Sequence, residues 1–480
     1  MALARWSAAA FVAAYVLVSF SATPNPMMAL WRPLAVGIGA AIALQLLLKV
    51  VLRDPDWAAL AASAIVLVLS AAWVPLAVTT SAATWLILIQ WRRRRQGQPT
   101  LGFSVKMLSR NLAIFAVAFA AVAAVPVVSW AVTFAEAAHG TAGGHGIGHG
   151  PDVVVLLVDG YPRSDSLMEQ FGVDNSPFET ELASRGFRVA THSRSNYTAT
   201  WATMASMFHG RYLEEIPVLN PAPADPAEQY RRVMLAIAES PVLEGLRRDG
   251  YEIVTVPSPF ESAALTGADR ILAPPQLTSF ELSLLQHSLL GGVVFRIDPE
   301  IVFDQHRARL EATLRLLADE VARPSSVPRF VFAHLLAPHA PVVYRADGSA
   351  AEPAACFPGC SIYGFASAAD WAGFPGQVEQ VNRAVLEVLD EIITSDEDAI
   401  VIVMSDHGSH RTGTDPVNAF RNFFAARVPG KQVQYEDDIT PLTVIARLTS
   451  IAFTPGHPYR AWASAPLEPL TLTPYTGRDP

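Results

Sequence analysis

The sequence is poor in lysine, in cysteine and in charge. Lys49, Lys106 and Lys431 are its only lysines, so arginine carries nearly all the positive charge. That bias is the codon usage of a GC-rich genome, not chemistry. Only 16% of residues are charged, against 51% apolar, and the mean hydropathy is +0.28. A soluble chain sits closer to neutral, so part of the apolar mass belongs in lipid. The net charge of −9, with no basic face recurring outside the apolar region, excludes a general nucleic-acid binder. The two cysteines, Cys356 and Cys360, flank Pro358-Gly359 in CFPGC, a tight-turn sequence. The pair reads as a small structural disulfide outside the cytoplasm, with two unpaired loop thiols as the alternative. Most of the long apolar runs lie in the first 135 residues, and the remainder is ample for one large domain with a substantial core.

Those runs lie at about 6–22, 33–52, 57–91 and 111–133. The third is too long for one ordinary helix and contains Pro75 and Thr79-Thr80-Ser81, so it divides into two crossings and the total becomes five. With five, Arg5, Lys49, Arg53, the run Arg92 to Arg95, Lys106 and Arg110 share one side, leaving Arg32 near the other. A four-helix count loses that agreement. A multi-pass cell-membrane protein with its larger half outside the cytoplasm follows. The expected layout is a transmembrane domain at 1–134 and a Gly/His-rich linker at 135–150. A catalytic domain at 151–455 and a Pro-rich tail at 456–480 follow. The linker histidines His139, His145 and His149 read as part of a flexible tether.

The larger half reads as α/β with a mostly parallel central sheet. Residues 152–158 (DVVVLLV) form a short, β-branched apolar run ending at Asp159-Gly160, as a buried parallel strand does. Ser176-Pro177-Phe178-Glu179 looks like a capping box opening a helix, and residues 186–190 then look like a strand. Ser240-Pro241 starts another helix, closed by Gly250, and strands are expected at 251–256, 330–333 and 399–404. Strands alternating with helices give a sheet covered on both faces, with its site outside the carboxyl ends of the strands. That rule selects Asp159, the stretch His334 to His339, and Asp406-His407, all of metal-ligand or acid–base type.

In residues 404–410 (MSDHGSH), a carboxylate and an imidazole at a strand end can share one divalent cation, with Gly408 permitting a sharp turn. A hydrogen-bonded Asp-His loop pair is the alternative. From Thr200 the chain reads as a helix stopped by Gly210. A hydroxyl in that first turn meets free backbone N–H groups and the positive helix end, and a cation would lower its pKa further. N-capping by Thr198 or Thr200 explains the same residues. Arg194, Arg411 and Asn422 can contact an anionic group, or serve as solvated charges and loop hydrogen bonds. Residues 277–297 are unusually apolar, read either as core packing or as a helix beside the bilayer.

Together these blocks resemble the alkaline-phosphatase-like superfamily, specifically its sulfatase-type branch. The match runs over about 152–450. It comprises the first strand with its metal-binding acid, the nucleophile helix with its Gly-Arg-Tyr close, the strand and PHxP loop in FAHLLAPHAP, and the SDHG block. Residues 421–430 and 438–441 look like the two C-terminal signatures. Sulfatases proper carry a Cys or Ser in a CxPxR-like motif, modified to formylglycine. Here Thr200, Ala202 and Met204 stand at the nucleophile, proline and arginine positions, and formylglycine cannot be made from threonine. Gly160 replaces the usual second aspartate. An unmodified threonine with fewer metal ligands resembles the membrane-anchored lipoteichoic acid synthases and phosphoethanolamine transferases.

The resemblance implies Asp159, Thr200, Asp406 and His407 as ligands of one Mn²⁺, Mg²⁺ or Zn²⁺, with Ca²⁺ disfavoured, and Thr200 as nucleophile. His339 looks like the substrate-facing histidine of the PHxP loop, with His334 and His410 as further substrate-binding candidates. The expected activity is metal-dependent hydrolysis or transfer of a phospho-ester, with a phosphorylated lipid or envelope glycan as substrate. The alternatives are a sulfuric ester hydrolase or phosphodiesterase, and a catalytically degenerate envelope scaffold.

Overall fold

The computed structural model describes residues 6–22, 27–70, 89, 91–93, 95–97, 105–140, 150–223, 225–260, 263–353, 363, 368–411, 413–430 and 439–441. The expected fourth crossing, most of the linker, Cys356, Cys360 and the C-terminal tail lie outside the described residues. The chain divides into two compact units. One is Met1–Ala135 with Thr278–Pro299; the other is Glu136–Leu277 with Glu300–Pro480.

The first unit is helical: α1 (Ser7–Ala22), α2 (Trp31–Leu52), α3 (Pro55–Ser70) and α4 (Val105–Gly140). Small residues set its close packing. Gly37 of α2 lies where a Cβ would meet Val12 of α1 at 2.6 Å, and the Ser7 and Ser63 hydroxyls bond at 2.7 Å. Met27–Leu52 and Val105–Thr133 are long and apolar enough to cross a membrane, while Ser7–Ala22 and Pro55–Ser70 are shorter apolar helices. Large apolar side chains such as Val36, Leu47, Val50, Phe115, Val122 and Val125 point away from the packed interior. The helix α4 continues to Gly140, through the first residues of the expected tether.

The same unit takes a hairpin from the middle of the other unit's sequence, α10 (Ser279–Gln286) and α11 (Leu289–Ile297). Arg32 pairs with Glu281, the Tyr15 hydroxyl donates to the Leu284 carbonyl at 3.0 Å, and Phe20 meets Phe280 edge-on with centroids 5.6 Å apart. The apolar 277–297 stretch therefore packs on one side against these helices.

In the second unit the strands, in chain order, are β1 (Val153–Val158), β2 (Arg188–Val189), β3 (Glu252–Val256), β4 (Arg270–Ile271), β5 (Arg329–Leu335), β6 (Ile400–Met404) and β7 (Phe424–Arg427). They form one sheet ordered β2-β7-β6-β1-β5-β3-β4. The five strands β6-β1-β5-β3-β4 are parallel, and β7 and β2 close one edge antiparallel. Helices α5 (Ser164–Phe171), α6 (Ser176–Ser184), α7 (Thr200–His209), α8 (Pro226–Ala238), α9 (Pro241–Arg248), α12 (Ile301–Ala322) and α13 (Ala368–Ser395) connect them. Strands β1 and β6 are apolar on both faces because both faces are covered, as the unbroken run 153–158 requires.

Local signals divide. Ser240 caps α9, accepting from Leu243 N at 3.1 Å, and Gly250 follows that helix with φ +86°. The helix α6 forms where expected but not through a capping box. Ser176 is its first residue, and Asp174 accepts from Ser176 N at 3.0 Å. Glu179, the other half of the expected box, instead accepts from the Ser164 hydroxyl.

At the end of the sheet opposite the carboxyl ends, Arg329 is buried. Its backbone N–H and Nε donate to the Asp152 carboxylate at 2.7 and 2.9 Å, and its guanidinium also meets the Arg323 and Val321 carbonyls and Glu320. Removing the cation leaves the enclosed Asp152 carboxylate without its ion-pair partner, while Glu320 keeps Arg270 and Arg323, and the loss costs about 3–5 kcal/mol. Arg329→Met is expected to lower stability by that amount in unfolding of the detergent-solubilised chain. A loss under about 1 kcal/mol would show that the network is dispensable.

Candidate active site

The three central strands β6, β1 and β5 run in register, with Leu157 opposite both Met404 and His334. That register delivers Asp159, Asp406-His407 and the 334–339 loop to one edge. Asp159 is fully buried, and its Oδ2 accepts from His334 Nε2 at 2.8 Å. Its other oxygen, Oδ1, has no hydrogen-bond partner among the described residues. Asp406 repeats the pattern: Oδ1 accepts from Gly160 N at 3.0 Å, and Oδ2 has none. His407 Nδ1 donates to the Gly408 carbonyl at 2.8 Å. The lone pair is thereby on Nε2, which lies 3.8 Å from Asp159 Oδ1 and 3.4 Å from Asp406 Oδ2.

Two orphaned carboxylate oxygens and an imidazole lone pair facing each other are a donor set for a divalent cation. Ligand atoms of Asp159, Asp406 and His407 all fall within 4.8 Å of one another. The Nδ1–H to carbonyl bond is the usual support for a metal-ligating histidine. These residues fit a metal. Burial alone pushes the Asp159 carboxyl up, but His339, His334 and His407 outweigh it and hold the group below the usual carboxylate range.

Thr200 is the first residue of α7, and the N-cap position belongs to Ala199, which offers no side-chain cap. The Thr200 hydroxyl is therefore not spent on capping, and it lies 3.4 Å from Asp159 Oδ2. One turn on, Thr203 donates to the Asp406 carbonyl at 3.0 Å, tying the helix start to the Asp406 loop. Gly408 serves a close approach: a Cβ there would stand 2.1 Å from the Asn418 carbonyl. The residue that needs a left-handed backbone is Gly160, at φ +64°.

His339 is half-buried, with its backbone N–H on the Asp159 carbonyl at 3.2 Å and its ring 6.4 Å from that of His407. Its Nδ1 donates to the Ala340 carbonyl at 3.0 Å, so the proton it can exchange sits at Nε2. His410 stacks on His407 with centroids 4.4 Å apart. His334 is buried behind Asp159. Asn422 Nδ2 donates to the Ser405 carbonyl at 2.6 Å, at the base of the Asp406 loop. Arg411 reaches the Gln170 carbonyl and lies over the Phe171 ring. Arg194 is exposed and gives its backbone N–H to Ile439.

Several supporting residues escaped the sequence reading. Gln377 is completely buried; its Nε2 donates to the carbonyls of Pro338, His339 and Pro341, and its Oε1 accepts from Val343 and Tyr344. One side chain thus holds the whole His339 loop. The available signal was an amide on the apolar stripe of α13, in line with Val381 and Val385. Ser405 accepts from Tyr161 N at 2.8 Å and donates to the His407 carbonyl at 2.7 Å. Phe260 stands edge-on to His339, with Tyr363 against Phe260 and His306 against Tyr363.

A central parallel sheet with an Asp/Asp/His cluster and a helix-start hydroxyl at its carboxyl edge defines a class of ester-processing α/β domains. The sulfatase family model matches residues 151–440, and the chain belongs to that family. Its superfamily comprises hydrolases and transferases. Among solved structures, the zinc complex of the C-terminal periplasmic domain of EcEptC from Escherichia coli is similar at 11% identity and a TM-score of 0.42, covering 65% of this chain and 86% of that one. The soluble domain of lipooligosaccharide phosphoethanolamine transferase A from Neisseria meningitidis is similar at 11% identity and a TM-score of 0.38, over 64% and 90%. The phosphonate monoester hydrolase of Agrobacterium radiobacter is similar at 16% identity and a TM-score of 0.40, over 63% and 73%. No curated protein sequence matches.

His306, on α12, is buried, and its Nε2 donates to the Leu336 carbonyl at 3.2 Å, just before the His339 loop. Burial pushes its imidazole down to about 3. The unfolded chain binds a proton there below about pH 6.5, and the folded chain does not. This contribution to stability is complete above that pH. It is lost as pH falls toward 3, at up to about 1.4 kcal/mol per unit. His306→Gln is expected to flatten the acid limb of a stability–pH profile taken between about pH 7 and pH 4. An unchanged slope would assign the acid sensitivity to other groups.

Proposed function

We propose that this chain is a membrane-anchored, multi-pass enzyme whose second unit, outside the cytoplasm, transfers or hydrolyses a phospho-ester through Thr200. The observation that carries this reading is the Thr200 hydroxyl, uncommitted to capping, 3.4 Å from a carboxylate in the Asp159–Asp406–His407 cluster. Asp159, Asp406 and His407 would hold one divalent cation, with Thr200 alongside. When bound, the cation supplies Lewis-acid stabilisation of negative charge and lowers the pKa of the adjacent hydroxyl.

Asp159 Oδ2, kept ionised by its histidines, orients the Thr200 hydroxyl and draws on its proton. Thr200 Oγ attacks phosphorus as its proton passes to Asp159 Oδ2, the bond to the ester oxygen breaks, and the leaving oxygen takes a proton from His339 Nε2. Water or an alcohol then attacks the phospho-threonine and gives its proton to His339 Nε2, while Thr200 Oγ departs and takes its proton back from Asp159 Oδ2. His334 acts through Asp159, fixing the carboxylate that faces Thr200. His410 and Asn422 brace His407 and the Asp406 loop. An outer-leaflet lipid or envelope glycan is the substrate class that suits a catalyst held at the membrane.

Intact-mass measurement after incubation with phosphorylated lipid head-group esters is expected to show a covalent adduct on Thr200. Thr200→Ala is expected to abolish the adduct and cut turnover by roughly 10,000-fold or more, the scale on which nucleophile loss acts. Turnover of phosphate or sulfate esters that survives Thr200→Ala would sink the assignment.

Metal analysis of the purified chain is expected to find about one divalent ion, lost in Asp406→Ala with the fold retained. An unchanged metal content in that variant would remove the cluster from the mechanism.

A further inference from the structure

The hairpin α10–α11 carries a feature that ester chemistry does not use. On α11, the turn is tight enough that a Cβ on Gly291 would meet the Leu285 carbonyl at 1.9 Å. The Ser288 hydroxyl caps the helix through Gly291 N at 3.0 Å. Gly291 and Phe295 form its packed side. Leu289, Leu290, Val293 and Ile297 are all exposed, Ile297 at 79%. At 100° per residue these four occupy one stripe about 100° wide, opposite Gly291 and Phe295. The helix is apolar on both sides but packed on only one.

Its level within the helical unit is fixed by its partners. Through Phe280 and Leu284 of α10 the hairpin packs where the end of α1 (Val16, Phe20), Leu30 just before α2, and Val127 of α4 converge, and α11 itself lies against α3. Tyr15, Trp130 and exposed Trp31 lie at the same end, beside Arg32 and its partner Glu281. Tyrosine, tryptophan and a basic residue at the end of an apolar span mark the boundary between acyl chains and head groups. The exposed apolar faces of α2 and α4 belong to this same unit. Arg296 borders the stripe, suited to reach toward head groups, and Asp298 and Glu300 follow in sequence and limit its depth.

We infer that α11 is an interfacial helix whose Leu289/Leu290/Val293/Ile297 stripe inserts into the outer acyl–head-group boundary, giving the chain a lipid-binding surface separate from its spans. The inference rests on the membrane reading above. It gives residues drawn from the middle of the catalytic sequence, between β4 and α12, their own hold on lipid.

The test uses the full chain in nanodiscs of phosphatidylethanolamine and phosphatidylglycerol. An environment-sensitive fluorescent amino acid replaces Val293, or Leu47 on α2, or Asp347 in an exposed loop of the second unit. Emission from position 293 is expected to shift to the blue, to lose intensity with lipids carrying a nitroxide near the head group, and to resist aqueous iodide. Position 47 should behave as buried in lipid and position 347 as open to iodide. If 293 follows 347 while 47 remains lipid-quenched, the inference fails and the membrane reading stands. Shielding of 293 from both quenchers would mean that protein, such as a second copy, covers the stripe, and would also overturn it. Iodide access at 47 would defeat the membrane reading and this inference with it.

Discussion

Two carboxylates, Asp159 and Asp406, are fully buried side by side, each with one oxygen that accepts no hydrogen bond among the described residues. A buried anion without a partner is costly, and a pair of them more so. The surrounding residues of the second unit make that pair tolerable. The β6-β1-β5 register places both acids one or two residues beyond adjacent strand ends, so neither can retreat into solvent without breaking the sheet. One oxygen of each is neutralised by a donor from the fold, His334 for Asp159 and the Gly160 N–H for Asp406. The other two face His407 Nε2. Protein donors have been placed wherever a cation is not needed, and withheld where one would sit.

That arrangement survives only if its loops are stiff, because a displacement of one ångström would separate the orphaned oxygens. Each loop is held by a buried polar side chain bonded to backbone. Gln377 spans the His339 loop, Ser405 links Tyr161 to His407, Asn422 anchors Ser405, and Thr203 binds the Asp406 carbonyl. Backbone groups in such loops have no ladder to join, so enclosed side chains must satisfy them. The apolar residues of β1 and β6 supply the platform; these amides and hydroxyls supply the precision.

This division explains what could be read before the structure. Strand ends were legible because apolar runs of six residues stopping at an acid or histidine have few other meanings, as at Val158-Asp159 and Met404-Ser405-Asp406. The helix at Thr200 was legible from its Gly210 stop. Whether Thr198 or Thr200 was the cap was not, since capping depends on one backbone torsion, and Ala199 between them took the position. The same limit undid the capping box at Ser176, where Asp174 intervened. Gln377 was opaque because its partners lie more than thirty residues away, along a loop whose path no local pattern encodes. The packed side of α10–α11 was hidden for a like reason: its partners, Tyr15, Phe20 and Arg32, lie some 250 residues earlier.

Gly160 connects these points to the chemistry. Its φ of +64° is a conformation in which a side chain is strained, and a Cβ there would lie 3.5 Å from both the His339 and His407 rings. An acid at this position, as in the sulfatases proper, would reach into the space between those imidazoles and add a third carboxylate to the cluster. Glycine keeps that space open and reduces the negative charge around the cation site. In the proposed mechanism fewer protein anions would share a cation, which would leave more of its field for the Thr200 hydroxyl at the start of α7. The departures at Gly160 and at Thr200 lie on two elements that meet at Asp159.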